Sequence, residues 1–526
     1  MKTTLSGPDQ APNPFLQKHQ DKVMGILHCL DRVRLQGSLR YLYSGEIFMQ
    51  YLFELKVLLK DFKTFATQLT ERVCQSAVQL AQSAGRPYEY LRSSQISKEG
   101  LAHDIAQRDH ITEGLIAVLG CVEPCRTYKV QGNRQSQKLE LQLQLSKCLH
   151  LYFYVQHPRL GRVHLRLQSW FPFLIHIGFN GHEWLAQQMD QKGLRYQRAD
   201  NRFTQIEDFV AAQRLADEQL RTDWVALCEE LRRSYHPLYE EIVRPLGGLR
   251  YYWTAPETEY ASDILFHQQA QLDRLYPRLV HYGIGQLNCQ QVMRFLGKRC
   301  DAGFKGQVMS DLRRRAEGVR LKYWVNRNSL KLYNCLNVLR GETTINDAED
   351  LRVYRTPESK PNERPSWHPL RRGVADLHRR AQLSRAANER HFAALAAAHD
   401  TTSLAEEAAA VAHPVFHAAR RHRALNPFNQ TDAHLLRLVN DGKWIIKGFR
   451  NRDLRHELFG PTAEEKRRRR QVAQVTRRLA LLHAHGLIAK VSRTHRWQVT
   501  RKGRRIIAAL LAAGNASTDQ LIAWAA

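Results

Sequence analysis

Apolar positions along the chain follow a helical spacing first and a strand-like spacing later. Over residues 15–119 they recur every three or four positions, as at 26–33 and 53–65, with Lys and Gln between them. This spacing lets a helix bury one face, so it predicts a helical domain over residues 15–125. The polar start, residues 1–14, has no apolar stretch and is expected to be a disordered leader.

From residue 128 to residue 179 the period of the pattern changes to two. In residues 139–145, Leu alternates with Glu and Gln, and similar runs follow. The alternation predicts a meander of antiparallel strands at the start of a central domain, residues 126–354. One face of this sheet suits either RNA binding or ordinary solvation, and both interpretations stay open. That face carries His150, Tyr152 and Tyr154.

Three more strands are predicted near the end of the central domain, at residues 319–325, 329–334 and 338–345. Short turns at 326–328 and 336–337 separate them, so the strands are expected to pair as hairpins. Side chains at alternate positions share a face of a sheet, and one face here is apolar. The opposite, polar face carries Arg320, Lys322, Lys331, Tyr333, Arg340 and Glu342.

This polar face offers the groups that cleavage of a phosphodiester requires. Such a reaction needs a nucleophile, cations beside the phosphate, and a carboxylate that binds metal or moves a proton. Tyr333 is the candidate nucleophile and Glu342 the candidate metal ligand. The candidate phosphate-binding cations are Arg320, Lys322, Lys331 and Arg340. The alternative is a basic, DNA-contacting sheet in which Glu342 simply balances Arg340.

The same strands resemble part of a known family of enzymes. The sequence Lys-Leu-Tyr-Asn at residues 331–334, followed by Leu-Arg-Gly-Glu at 339–342, is similar to a strand pair of rolling-circle replication initiators. The resemblance implies an enzyme that nicks or joins DNA. The paired-histidine metal motif of many such enzymes is absent from the sequence. His483 and His485 have a suitable spacing, but they end a predicted basic helix.

Glu259 and Asp263 are further candidate ligands for a divalent cation. The segment after Trp253 is predicted to be a helix, on which a separation of four residues places both carboxylates on one face. Two such acids could hold Mg²⁺ or Mn²⁺ with help from a group such as Glu342. The alternative is a pair of solvated surface acids.

Residues 428–526 have the pattern of a small DNA-binding module. Two short helical segments precede a long one at 464–485, and two short strands and a last apolar helix follow it. The apolar stripe of the long helix consists of Val472, Val475, Leu479 and Leu482. Its cations are Lys466, Arg467, Arg468, Arg469, Arg470, Arg477 and Arg478. The tip between the two strands carries Arg493, His495 and Arg496.

This order of elements, with Leu-Leu-His-Ala-His-Gly-Leu-Ile at residues 481–488, resembles the MarR-type winged-helix domain. The resemblance implies binding of double-stranded DNA, with the long helix in the major groove. The cations of the module are then the candidate contacts to phosphates and base edges. A protein-binding winged helix is the alternative. Residues 355–427, read as a linker and helical connector, could serve as a dimerisation arm.

Composition agrees with a polyanionic partner. The formal net charge is +28 and the sequence pI about 9.9, which favours salt-sensitive association with nucleic acid. No apolar run approaches the roughly 18 to 20 residues that span a bilayer, so no membrane partner is expected. The nine scattered cysteines suit reduced thiols in a cytoplasm. Cys121 and Cys125 lie in a different predicted element from Cys148 and His150, so no zinc site is expected.

Together these patterns predict an α+β multidomain protein with an N-terminal helical domain, a central antiparallel β-rich domain and a C-terminal winged helix. The function that fits best is DNA binding by a replication or mobile-element protein whose central domain acts on phosphodiesters with Mg²⁺ or Mn²⁺. A non-enzymatic, MarR-like transcription regulator and an RNA-binding protein are the alternatives. The enzyme requires Tyr333, Glu342, Glu259 and Asp263 to converge in one cleft.

Overall fold

The fold is mixed α/β and divides into two compact units. The sheet unit comprises Met1–Tyr276 and Ser310–Ala393, and the C-terminal unit comprises Pro277–Met309 and Ala394–Ala526. No helix in the described part of the chain is both long and apolar enough to cross a bilayer. This computed structural model describes residues 13–236, 238–248, 250–298, 304, 306–315, 318–357, 362–399, 408–409, 411–417, 419–445, 447–492 and 494–517.

The secondary structure alternates between long strands and short helices in the first part of the chain and becomes mainly helical at the end. The strands are β1 (Val23–Ser38), β2 (Tyr88–Leu91), β3 (Gly114–Asn133), β4 (Lys138–His157), β5 (Gly161–Gln168), β6 (Ile175–Asn180), β7 (Tyr196–Ala199), β8 (Arg202–Ile206), β9 (Tyr252–Phe266), β10 (Val308–Arg315), β11 (Gly318–Val325), β12 (Asn328–Cys335), β13 (Val338–Ile345), β14 (Arg352–Arg355), β15 (Ser366–Pro369), β16 (Val415–His417), β17 (Arg420–His422), β18 (Ile488–Lys490) and β19 (Trp497–Val499).

The helices are α1 (Pro14–Lys18), α2 (Gly45–Glu54), α3 (Phe62–Ser83), α4 (Lys98–Arg108), α5 (Gly181–Gln191), α6 (Phe209–Gln219), α7 (Trp224–Tyr235), α8 (Tyr239–Val243), α9 (Gln269–Gly285), α10 (Cys289–Phe295), α11 (Leu377–Leu395), α12 (Gln430–Val439), α13 (Asn451–Phe459), α14 (Glu465–Ala484) and α15 (Arg501–Asn515). Single 3-10 turns are formed by Arg40–Tyr43, Leu59–Asp61, Arg244–Leu246, Val374–Asp376, Ala396–His399 and Gly442–Trp444.

The sheet unit is built on one sheet, whose described strands follow the order β10-β11-β12-β13-β9-β1-β6-β5-β4-β3-β2. At its centre β9 pairs antiparallel with both β1 and β13. Helix α11 packs on one face, where the Phe392 ring lies so close to Gly341 that a Cβ there would come within 2.7 Å of it. On the other face, α5 brings His182 to Arg340. The central strands are therefore covered on both faces.

The prediction of an all-helical domain over residues 15–125 was wrong. Residues 26–33 lie in β1, and β3 begins at Gly114, although α2, α3 and α4 do lie in this range. The reason is that β1 is buried on both faces, with Leu27, Cys29 and Leu30 each 1% exposed. A strand buried on both faces gives a continuous apolar run, which does not show the period of two.

Two expectations for the rest of the sheet unit were also wrong. Glu259 and Asp263 lie on β9 rather than on a helix. The described residues of 355–393 are not a free connector, because β15 pairs with β14 and Asn388 of α11 accepts a hydrogen bond from Thr343 on β13. The meander of residues 128–179 and the three hairpin strands β11 to β13 are confirmed, with their turn residues Asn326 and Leu336 at positive φ.

The C-terminal unit contains the predicted order of two helices, a long helix, two strands and a last helix. A core is formed by residues of these four helices, α12 to α15, among them Leu435, Leu454, Val475, Leu482 and Ile506. Phe449, before α13, pairs with Trp497 and so ties the two strands to the helical part. Val472 was expected to join the apolar stripe, but it is 40% exposed, because the buried face of α14 is centred on Val475, Leu479 and Leu482.

Candidate functional site

Charged and polar side chains from four central strands converge on one face of the sheet. We call this group the acid cluster. Strand pairing explains the convergence, because residues that face each other across antiparallel strands share a face. The pairs are Lys331 with Glu342, Tyr333 with Arg340, and Arg340 with Asp263. The members of the acid cluster are Asp31 on β1, Glu259 and Asp263 on β9, Lys331 and Tyr333 on β12, and Arg340 and Glu342 on β13.

A β-bulge in β1 contributes to the position of Asp31. Leu30 pairs with Tyr260 and Val33 pairs with Thr258, so two residues of β1, Asp31 and Arg32, stand opposite Glu259. Bulges of this kind bend a strand and redirect its side chains, and they are common beside active sites. Asp31 is 2% exposed and reaches into the acid cluster, with the more exposed Arg32 beside it.

One half of the acid cluster is organised by Lys331. Its Nζ atom donates to Oε1 of Glu259 at 2.7 Å and also to Oε1 of Glu342. The Tyr333 hydroxyl donates to Oε2 of Glu342 at 2.6 Å. Each Glu342 oxygen therefore has its own donor. The predicted proximity of Tyr333, Lys331 and Glu342 is confirmed, but these side chains are buried rather than spread over an exposed face.

The other half is organised by Arg340. Its Nε and Nη2 atoms donate to the two oxygens of Asp263, both at 2.6 Å, and Nη1 donates to Asp31 Oδ2 at 3.0 Å. Nη2 also donates to the Asn201 carbonyl at 2.8 Å. With 1% of its surface exposed, Arg340 has no free face for a phosphate. Its expected role in binding nucleic acid therefore does not fit the structure.

The acid cluster holds more carboxylates than cations. Asp31, Glu259, Asp263 and Glu342 face two cations, Lys331 and Arg340. Burial and the neighbouring Glu342 outweigh Lys331 and raise the pKa of Glu259 to about 7. Burial would also raise the pKa of Asp263, but Arg340 and His182 outweigh it and lower that pKa to about 2. A proton or a further cation would thus be stabilised beside Glu259.

Three of these carboxylates have the spacing of a metal site. One oxygen atom each of Asp31, Glu259 and Glu342 lies within 4.8 Å of the others. Oxygen ligands of Mg²⁺ lie at roughly 2.0–2.1 Å, so ligands on opposite sides of the ion are about 4.2 Å apart. The three oxygens are therefore close enough to share one ion, which would take the place of the Lys331 ammonium between Glu259 and Glu342. Asp263 was expected in this role, but it is outside this group of close oxygens and forms a two-point ion pair with Arg340 instead.

Further cations line the more exposed side of the acid cluster. Arg320 and Lys322 of β11 are half-buried, and the Lys322 ammonium lies 3.5 Å from the centre of the Trp324 ring. Burial and repulsion by Lys331 lower the pKa of Lys322 to about 8. Arg202 of β8 lies over the Tyr333 ring, with 5.6 Å between its Cζ atom and the ring centre. Arg320 and Lys322 thus remain candidates for contact with a phosphate.

Sequence reasoning missed several of these residues. Asp31, His182, Asn201 and Arg202 come from elements that lie far from β12 and β13 in the sequence, so no local spacing connects them. One signal was present, because Asp31 is a charged residue inside the apolar run of β1. A buried acid requires a partner, and its position in such a run is typical of a functional or ion-paired site.

The expected nucleic-acid contacts of α14 are mostly at the surface. Lys466, Arg467, Arg470 and Arg477 are exposed and make no ion pair with another described residue. Arg468 and Arg469 are also exposed, but both pair with Glu465. Arg478 differs, because it is half-buried with its Cζ atom 5.5 Å from the centre of the Phe459 ring.

The strand pair after α14 contributes fewer free cations than expected. His495 is exposed, whereas Nη1 of Arg496 donates to the Lys447 carbonyl at 2.9 Å and helps to hold the loop before α13. Arg493 lies outside the described residues. Among the expected nucleic-acid contacts of this unit, the exposed cations in the described part of the chain are therefore mainly on α14.

Comparisons with known proteins identify no relative of this chain. The chain matches no protein-family model, and no curated protein or solved structure is found to match it.

Proposed function

We propose that this protein binds double-stranded DNA through a winged-helix module at residues 428–526 and that its acid cluster binds Mg²⁺ or Mn²⁺ to break or join phosphodiesters. Such an activity fits a replication or mobile-element protein. The observation that carries the proposal is the approach of Asp31, Glu259 and Glu342 to within 4.8 Å of one another. An all-oxygen set of carboxylates is what Mg²⁺ and Mn²⁺ prefer in proteins.

The residues around the carboxylates have distinct parts in this proposal. Lys331 and Tyr333 orient Glu342, because each donates a hydrogen bond to one of its oxygens. Arg320 and Lys322, on the more exposed side, are suited to hold a phosphate. A bound cation would polarise the phosphoryl oxygen and lower the pKa of a bound water.

Tyr333 fits the role of a positioning residue better than that of a nucleophile. It is 8% exposed, and its hydroxyl proton is directed at Glu342. Burial and the negative charge of Glu342 raise the pKa of Tyr333 well above its usual range. A phenolate that attacks phosphorus would have to form against both effects.

The DNA-binding part of the proposal is supported by the charges on α14. Five consecutive cations, Lys466 to Arg470, occupy its first turns, where the helix dipole is positive. Cations at a helix N-terminus are unfavourable by typically 0.3–1 kcal/mol each when exposed at low salt. Arg468 and Arg469 are offset by Glu465, but Lys466, Arg467 and Arg470 have no such partner among the described residues, and a polyanionic ligand accounts for them.

The test combines metal binding with catalysis in the full-length chain. We expect Mg²⁺ or Mn²⁺ to raise the thermal midpoint of wild-type protein and to support cleavage or joining of labelled DNA. Glu342→Gln should lose both effects and keep its affinity for duplex DNA, because α14 is unchanged. Absence of any metal-dependent product with wild-type protein, on single- and double-stranded substrates alike, would remove the enzymatic part of the proposal.

The second candidate function is a non-enzymatic regulator that binds DNA. Lys331 favours it, because its ammonium group already lies between Glu259 and Glu342 as an internal counter-ion. In that case the acid cluster stabilises the fold, and Mg²⁺ leaves the thermal midpoint unchanged. Calorimetric titration with Mn²⁺ distinguishes the two functions. If the acid cluster is an enzymatic metal site, wild-type protein gives a heat of binding and Glu342→Gln does not. If it only stabilises the fold, neither protein gives one.

A further inference from the structure

A second group of metal-ligating side chains lies far from the acid cluster in the sheet order, on the long hairpin of β3 and β4. Cys121 and Cys125 were expected to belong to a different element from Cys148 and His150. They do lie on different strands, but β3 and β4 are antiparallel neighbours joined by the turn at residues 134–137, and this pairing brings them together. The turn signal was present in the sequence, because Gly132 and Asn133 precede the turn and Oδ1 of Asn133 accepts from the backbone N–H groups of Gln135 and Ser136, but it was not used to pair the two strands.

The register of the hairpin explains which side chains meet. Cys121 stands opposite His150, Glu123 opposite Cys148, and Cys125 opposite Ser146. Side chains at alternate positions and at directly opposite positions share a face of the ladder. The two thiols and the imidazole therefore lie on one face, on a backbone that is fixed by strand pairing.

The distances within this group are short enough for a shared ion. The Sγ atoms of Cys125 and Cys148 are 3.3 Å apart, and one ligand atom of each of Cys125, Cys148 and His150 lies within 4.8 Å of the others. Two thiolates at about 2.3 Å from a tetrahedral zinc ion are about 3.8 Å apart. Binding would thus require the sulfur atoms to separate by only about half an ångström.

The His150 ring is held in an orientation that suits a metal ligand. Its Nδ1 atom lies 3.2 Å from the Cys148 carbonyl oxygen. A carbonyl oxygen can only accept, so Nδ1 carries the proton and the lone pair is on Nε2. This backbone contact is the usual way in which proteins fix the tautomer and the ring plane of a metal-bound histidine.

We propose that Cys125, Cys148 and His150 form a zinc site whose fourth position is left to solvent. Two soft thiolates and an imidazole select Zn²⁺ over Mg²⁺ or Mn²⁺, so this site and the acid cluster take different ions. Cys125 and Cys148 are half-buried, which leaves the ion a path from solvent. The nearby Glu123 does not complete the set, because Tyr152, Lys98 and Arg166 engage its carboxylate.

Metal analysis of the full-length protein tests the site without reference to any activity. Protein purified under reducing conditions without chelator should contain about one equivalent of zinc by mass spectrometry. Replacing zinc by Co²⁺ should give the intense near-ultraviolet absorption of a thiolate-to-cobalt transition. Cys125→Ser and Cys148→Ser should each lose both signals. Because DNA binding is not involved, the result is independent of the function proposed above.

Cys121→Ala is the matched control, since Cys121 lies on the same strand and face as Cys125 but outside the group of close ligand atoms. It should keep its zinc and its cobalt spectrum. Zinc that persists in Cys148→Ser, or that is lost equally in Cys121→Ala, overturns this assignment of ligands. Wild-type protein that binds neither ion and instead forms a Cys125–Cys148 disulfide on air exposure overturns the site in favour of a redox pair.

Discussion

Arg340 and Asp263 face each other across β13 and β9 and form a two-point ion pair, with both nitrogen-to-oxygen distances at 2.6 Å. Each side chain is 1% exposed. Such a pair fixes both partners in one plane. Because Arg340 also donates to Asp31, the pair connects β1, β9 and β13 and contacts one of the proposed metal ligands directly.

Asp263→Ala should strongly destabilise the sheet unit. The substitution leaves the buried Arg340 charge with Asp31 as its remaining carboxylate partner. Removal of one member of a buried ion pair typically lowers the free energy of unfolding by about 3–5 kcal/mol. Urea unfolding of the full-length chain, followed by circular dichroism, measures the change.

A surface pair between β9 and β1 provides the control. Glu257 of β9 pairs with Arg34 of β1 at 3.7 Å, and their side chains are 38% and 59% exposed. Glu257→Ala should therefore change the free energy of unfolding by less than about 1 kcal/mol. Similar losses in the two variants would contradict the special role of the buried pair.

The polar face of β11 to β13 could be predicted from the sequence because it depends on local rules. Two-residue turns and alternation determine which side chains point the same way, and Lys331, Tyr333 and Glu342 meet as expected. Burial could not be predicted in this way. It depends on β9, β1 and α5 packing around these strands, and their approach is set by tertiary structure rather than by spacing.

Strand β1 also could not be predicted from the local sequence pattern. The run at residues 26–33 fits a buried strand and a helix equally well by pattern, and only its pairing with β9 decides between them. Asp31 was therefore placed on a helix and was not connected with Glu342. The helices of the C-terminal unit could be predicted because each is amphipathic and packs mainly against its neighbours in sequence.

Glu259→Gln should remove a pH dependence of stability. The pKa of Glu259 is raised from 4.5 to about 7 by burial and by Glu342, so the folded protein keeps this proton to higher pH than the unfolded chain. Stability then falls as the pH rises from about 4.5 to about 7. At pH 8 the variant should be more stable than wild type by about 1–3 kcal/mol, since each unit of pKa corresponds to about 1.4 kcal/mol.

Unfolding free energies of both proteins at pH 5 and pH 8 test this prediction, with Glu257→Gln as a surface control on the same strand. The difference between Glu259→Gln and wild type should be near zero at pH 5. Saturating Mg²⁺ should stabilise wild type at pH 8 and leave Glu259→Gln unchanged. A difference that is the same at both pH values would disprove the titration of Glu259.

Tyr333→Phe should weaken binding of Mn²⁺ without abolishing it. The hydroxyl donates to Oε2 of Glu342 at 2.6 Å, so its loss leaves that carboxylate oriented by Lys331 alone. Loss of a group that orients a ligand typically lowers metal affinity about 10- to 100-fold. Tyr276→Phe is the control, because its hydroxyl contacts the backbone carbonyl oxygens of Val319 at 2.5 Å and Leu332 at 3.0 Å instead of a carboxylate. Calorimetric titration with Mn²⁺ should show the loss in Tyr333→Phe alone.

Arg477 and Arg478 are adjacent on α14 but should behave differently. Arg477 is exposed and lies two turns from Arg470 on the same side of the helix, so it can reach DNA. Arg477→Ala should weaken binding to a preferred duplex by about 1–3 kcal/mol and reduce sequence selectivity. Arg478 lies over the Phe459 ring, so Arg478→Ala should lower the stability of the C-terminal unit and change DNA affinity little when compared below its melting temperature.

Gel-shift titrations over a series of salt concentrations, with specific and random duplexes, separate these effects. Removal of Arg467 and Arg470 together should weaken binding to both duplexes equally and reduce the salt dependence by about one unit of slope for each phosphate contact. Both side chains are exposed and form no ion pair with a described residue, so their loss leaves the helix intact. If Arg478→Ala abolished DNA binding while Arg477→Ala kept full selectivity, the face of α14 that contacts DNA would not be the exposed face that carries Arg477.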